Sequence, residues 1–132
     1  MFKLHEKLES DLTPIGESEL SLIFVLPDSE VPWVILVPKV AGIKEFHHLS
    51  SDDQVKLGRE INKVSLALES CFSPDKINIG SLGNMVPQLH IHLICRFKED
   101  RAWPGAIWGT SANTDELAID TLTQKIQKAL NL

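Results

Sequence analysis

Gln88-Leu89-His90-Ile91-His92-Leu93-Ile94-Cys95-Arg96-Phe97 is the stretch on which the reading of this chain turns. Successive side chains of a strand point to opposite faces, so Leu89, Ile91, Leu93, Cys95 and Phe97 line one side and Gln88, His90, His92, Ile94 and Arg96 the other. The first side is wholly apolar and needs a partner to bury it. The second carries two imidazoles, a carboxamide and a guanidinium, a set that no half-buried structural strand requires, and it is expected to stay free to form a site.

Immediately upstream stands Asn78-Ile79-Gly80-Ser81-Leu82-Gly83-Asn84-Met85-Val86-Pro87. Residues 76–83, KINIGSLG, read as a strand entering a glycine-containing turn. Glycines 80 and 83 allow tight turning and close approach of main-chain N–H groups to an anion. Such a loop just before two imidazoles and an arginine on one strand face points to a phosphate site with a nucleophile beside it.

The partner for the apolar side is a helix over 51–72. Ser51 with Gln54 three residues on reads as a capping box, Leu57, Ile61, Val64, Leu68 and Cys71 form its apolar stripe, and Ser73-Pro74-Asp75 ends it. Lys56 and Glu60 are spaced to pair at i, i+4. Further out, LSLIFVL and WVILVP predict two antiparallel strands, about 20–26 and 33–38, around a Pro-Asp-Ser loop. Leu4, Leu8 and Leu12 predict a short N-terminal helix over 3–12. Leu117, Ile119, Leu122, Ile126 and Leu130 predict a C-terminal helix within 113–130, started near Thr114. The fold class is α+β: an antiparallel sheet with a packed central helix plus N- and C-terminal helical segments, in one domain over residues 1–132.

Composition narrows the function. The chain is 43% hydrophobic and 23% charged, an ordinary globular balance. Its net charge of −5 weighs against general binding of a nucleic-acid backbone. Charges at Lys3, Glu6, Lys7, Glu9 and Asp11 leave no readable secretory signal, and proline interrupts apolar runs already too short to span a membrane. With Cys71 and Cys95 alone, reduced thiols in a cytoplasm fit better than a disulfide framework.

At Gln88-Leu89-His90-Ile91-His92-Leu93-Ile94 the sequence resembles the histidine-triad (HIT) motif, His-φ-His-φ-His-φ-φ, with glutamine in place of the first histidine. VLPD, WVILVPK, the Asn-x-Gly-x-x-Gly-Asn approach and the later Trp-Pro-Gly fall in that family's order, so the resemblance covers about residues 20–108. It implies an antiparallel sheet with a packed helix, usually as a homodimer, acting on a nucleotide small-molecule substrate without a cofactor. The implied chemistry is attack by the middle histidine, His90, on a nucleoside α-phosphate, with dinucleoside polyphosphates or nucleoside phosphoramidates as the substrate class. The resulting nucleotidyl-histidine passes to water or another acceptor. His92 then helps hold phosphate oxygens, Asp28 accepts ribose hydroxyls, and Asn78 and Asn84 lie near the phosphates. Gln88 occupies a catalytic position but cannot deliver a proton at neutral pH. Two further departures are Trp33, where many members have histidine, and Met85, where many have a hydroxyl. Gln88 and Trp33 are expected to be neighbours.

Other readings stand beside this one. His90 and His92 form the start of a zinc site, although odd spacing places Cys95 on the opposite face and the nearby ligands stop at two. Arg96 either compensates phosphate charge or reaches solvent. His47 and His48 read as loop residues. Trp103-Pro104-Gly105 and Trp108 either cover the pocket or pack in an interior. A nucleotide sensor without turnover is the rival function, against which the retained His90 argues.

Overall fold

A computed structural model describes all 132 residues. In chain order they form α1 (Glu6–Asp11), β1 (Thr13–Glu17), β2 (Ser21–Val25), β3 (Trp33–Pro38), a 3-10 turn (Phe46–His48), α2 (Ser51–Phe72), β4 (Lys76–Gly80), β5 (Ile91–Arg96) and α3 (Glu116–Ala129). The strands make one antiparallel sheet of order β1-β2-β3-β5-β4.

The helix limits follow from local chemistry. Helix α2 spans the expected residues, but its cap is Ser50, whose hydroxyl accepts from Asp53 N–H. Ser51 is already helical, and Gln54 donates its amide to Leu49 O rather than closing a capping box. Ser73 turns left-handed at φ 46°, and Pro74 follows it. The expected Lys56–Glu60 pair is not made: Lys56 reaches Glu19 at 3.2 Å, and Glu60 accepts from Leu20 N–H at 2.8 Å. A main-chain donor near the helix flank competes better for that carboxylate than a mobile ammonium. Helix α3 starts at Asp115, whose carboxylate accepts from Ala118 N–H, one residue after the expected Thr114.

Leu57, Val64 and Leu68 of α2 bury against Leu89, Ile91, Leu93 and Cys95, with Leu122 and Ile126 of α3 closing the same core. Each large side chain taken out of water there contributes about 1.5–3 kcal/mol. The opposite face of the sheet differs from expectation. It is covered as well: Phe24, Trp33, Ile35, Val37 and Ile94 form a second core with Leu8 and Leu12 from α1 and with Val86 and Ile107. All six residues of β5 and all six of β3 are consequently buried. The site is therefore a cleft at the end of β5 rather than an open strand surface.

Two further differences bear on that cleft. Strand β5 begins at Ile91, so Gln88, Leu89 and His90 precede the ladder. The N-terminal helix is shorter than its leucine spacing suggests: it begins at Glu6 with His5, in extended conformation, as its cap, and residues 3 and 5 are tied to Gln88 through bonds given below.

Candidate active site

His90 and His92 are each 7% exposed, with ring centroids 5.1 Å apart. They line a cleft of about 300 Å³ with Leu82, Gly83, Asn84, Met85, Val86 and Trp108, a volume at the small end of ligand pockets. Gly83 takes φ +63°, a left-handed conformation that turns the 81–87 loop over the cleft. Gly80 has a different reason from the phosphate approach expected of it: a Cβ there would stand 3.2 Å from the Trp108 ring, which lies against the end of β4.

The hydrogen bonds assign the two imidazoles opposite tautomers. His90 Nδ1 lies 2.7 Å from the main-chain oxygen of Gln88. A carbonyl only accepts, so Nδ1 carries the proton and Nε2 keeps its lone pair. Around His92 the roles reverse. Trp33 Nε1–H donates to His92 Nδ1 at 2.9 Å. The indole only donates, so neutral His92 carries its proton on Nε2. Burial, reinforced by repulsion from the charge of His90, pushes the His92 pKa down from 6.5 to about 4. With both rings neutral, the pair is thus a bare nitrogen on His90 beside an N–H donor on His92.

Trp33 reaches His92 because of sheet register. It pairs with Ile94 across β3 and β5 while Ile35 pairs with His92, so Trp33 and His92 are diagonal neighbours on one face. Trp108 stands edge-on to both, at 6.3 Å from Trp33 and 5.6 Å from His92, and its own Nε1 is buried without a partner.

Several expected site residues are placed elsewhere. The Gln88 carboxamide does not face the imidazoles: it accepts from His5 N–H and donates to Lys3 O, both at 2.8 Å. Gln88 and Trp33 thus serve different elements. Arg96 neither meets solvent nor offers a free charge. It is 2% exposed and donates to both oxygens of Asp100 at 2.8 and 3.0 Å, to Asn78 Oδ1 at 2.8 Å and to Gly105 O at 2.8 Å. That bond engages Asn78 through its Oδ1 alone. The bonds from Arg96, with help from Phe97 and Ala102 N–H groups, hold the Asp100 carboxyl well below the usual carboxylate range. Asp28 is fully buried and accepts from Arg101 at 2.6 and 3.2 Å and from Glu30 N–H at 2.9 Å. Both oxygens of Asp28 are thus already engaged within the chain. Asn84 stays on the cleft rim. Cys95 sits in the α2-side core, its thiol pushed up to about 12 by burial, and no three His, Cys, Asp or Glu side chains group as metal ligands. His47 and His48 are exposed in the 3-10 turn, with rings 4.6 Å apart. The roles of Trp33, Arg101 and Trp108 were not legible beforehand, since each depends on a contact between distant parts of the chain.

Comparison with known proteins gives the family and the fold. Residues 7–99 match the HIT domain family. The chain belongs to the HIT domain family. Two solved HIT proteins superpose over almost the whole length. A histidine triad protein from Sinorhizobium meliloti 1021 is 42% identical with a TM-score of 0.92, covering 98% of both chains. One from Marinobacter aquaeolei VT8 is 41% identical with a TM-score of 0.93, covering 99% of this chain and 97% of its own. A curated relative, the bis(5'-nucleosyl)-tetraphosphatase (asymmetrical) of Schizosaccharomyces pombe, is 29% identical, with 66% of this chain covered. The chain spans about half the length of that relative, 53%. The HIT assignment covers β5 and its approach, so the His90-x-His92 pair lies within the matched region.

Proposed function

We propose that this HIT protein is a hydrolase or nucleotidyl transferase that breaks a bond at a nucleoside α-phosphate through a nucleotidyl-histidine on His90. The observation that carries the reading is the 2.7 Å bond from His90 Nδ1 to Gln88 O, which leaves the Nε2 lone pair available at the cleft. In the first step Nε2 attacks the α-phosphorus, the bond to the leaving oxygen breaks, and its electron pair departs with the leaving group. The Gln88 carbonyl holds the Nδ1 proton while the ring carries positive charge. His92 Nε2–H donates to a non-bridging oxygen, joined by donors of the Gly83-Asn84 loop. Water or another acceptor then attacks phosphorus and gives up a proton to solvent, and the P–N electron pair returns to His90.

The surroundings favour a leaving group that needs no proton. Gln88 is spent on residues 3 and 5, Met85 is an exposed thioether, and the Trp33 N–H is bonded to a neutral His92. A phosphate of a polyphosphate chain departs as an anion, whereas an amine must take up a proton as it leaves. Dinucleoside polyphosphates therefore suit this cleft better than alkyl phosphoramidates, in line with the activity named for the fission-yeast relative. Two unpaired thiols fit a cytoplasmic setting.

Mononucleotide release from a dinucleoside tetraphosphate and from an alkyl nucleoside phosphoramidate, each with and without chelator, tests the reading. Faster turnover of the tetraphosphate, unchanged by chelator, is expected. Activity abolished by chelator and restored by zinc would favour a metal site, and faster turnover of the amide would reverse the leaving-group assignment.

A further inference from the structure

The glutamine at the first motif position has both ends of its carboxamide committed to one short piece of backbone, 83 and 85 residues away in sequence. The same residue supplies, through its main-chain oxygen, the acceptor for His90 Nδ1. We propose that Gln88 is a positioning residue that clips the N-terminal segment to the loop before β5 and so fixes the carbonyl that sets the tautomer of His90. This rests on His90 being the nucleophile.

Residues 88–90 precede the β5 ladder, so the sheet does not orient the Gln88 carbonyl. Its peptide unit has one main-chain tie, from Leu89 N–H to Ile43 O at 3.0 Å, and residue 43 itself lies in no regular element. Burial of the Leu89 side chain in the α2-side core and the carboxamide clip supply the other restraints. The anchor of the clip is firm for two reasons. His5 is the cap of α1, its Nδ1 accepting from Lys7 N–H at 3.0 Å. Phe2, Leu4, Leu8 and Leu12 also seat this segment in the core that contains Trp33 and Val86. The N-terminal segment therefore braces His90 through Gln88 and His92 through Trp33. A misplaced carbonyl would let the His90 proton move to Nε2 and remove the attacking lone pair.

The test separates this role from simple stability. His5 has φ −61°, within the range proline adopts, so His5→Pro deletes the N–H donor to Gln88. His5→Ala controls for the lost side-chain cap. Gln88→Ala removes both bonds, and Gln88→Glu keeps an acceptor for His5 while losing the donor to Lys3 O. Ring ¹⁵N shifts of His90 are read without substrate, together with kcat and KM on a dinucleoside tetraphosphate. His90 is expected to be Nδ1-protonated in the wild type and in His5→Ala, and a mixture of tautomers in Gln88→Ala, Gln88→Glu and His5→Pro. In those three kcat falls about tenfold or more while KM stays within about twofold. A folded Gln88 or His5→Pro variant with the wild-type tautomer and kcat overturns the proposal, whatever its melting temperature. Absence of a nucleotidyl adduct on His90 in the wild type would instead overturn the nucleophile assignment, and the tautomer measurement does not depend on it.

Discussion

Trp33 and the Gln88 carbonyl do opposite things to two chemically identical rings, one donating to Nδ1 and the other accepting from it. That asymmetry is the basis on which we propose His90 as the nucleophile of the pair and His92 as the donor. His90→Ala is expected to lower turnover by several orders of magnitude while nucleotide affinity, measured calorimetrically, stays within a fewfold. Unreduced turnover would transfer the chemistry to another group. His92 makes a prediction about acid stability. Its folded pKa is about 4 against 6.5 for the free ring, so the unfolded chain takes up the proton first as pH falls. The associated stability is present above about pH 6.5 and lost toward pH 4, amounting to about 3 kcal/mol at about 1.4 kcal/mol per pKa unit. Denaturant unfolding of wild type and His92→Asn should show the difference between them changing by about that much over the window. A constant difference would mean that His92 is not held neutral by its surroundings.

At the scale of elements, the pair Arg96–Asp100 does what Arg96 in a binding role would have prevented: it locks the end of β5 to the 97–105 loop from inside the protein. Both side chains are almost fully buried, at 2% and 1% exposure, so removing Arg96 leaves the Asp100 charge buried without its counter-ion, held only by main-chain N–H groups. Arg96→Ala is expected to cost about 3–5 kcal/mol in urea unfolding with no specific effect on KM. Because the Asp100 pKa is depressed on folding, the stability from this pair is present above about pH 4 and declines as pH falls toward the folded value. Asp100→Asn should flatten that acid limb. The sequence made some of this architecture legible and hid the rest for specific reasons. Helix α2 was readable because its stripe and its Ser73-Pro74 stop are local signals, and the adjacent serines 50 and 51 obscured only the identity of the cap. Strand β1 escaped because Pro14 and Gly16 disfavour strands except at edges and irregularities, which is where it lies. Continuous apolar runs in β2 and β3 already signalled burial on both sheet faces, but the polar side chains around His90 pointed the other way, to an open face. The positions of His90 and His92 followed from alternation and motif. The occupations of Gln88, Asp28 and Arg96 did not, since Lys3, His5, Arg101 and Asp100 become their partners only once loops have folded.

For the whole molecule, the sheet ends at two unpaired edges, β1 and β4, and these differ. Beside β1, the C-terminal Leu132 packs against Gly16. Next to β4, three large apolar side chains face water: Ile79 at 50% exposure, Leu82 at 52% and Met85 at 85%. Exposed strand edges flanked by apolar side chains are surfaces that monomers usually avoid, and pairing two copies edge to edge buries them. We expect this protein to form such a homodimer, with the two β4 strands meeting. Leu82 and Met85 also line the His90 cleft, so the dimer contact would border the site rather than lie remote from it. Light scattering at micromolar concentration should give about twice 14.7 kDa. Ile79→Lys, which places like charges across the contact, should return the mass to that of one chain. A monomeric wild type would remove the dimer, and a dimer untouched by Ile79→Lys would move the contact away from β4.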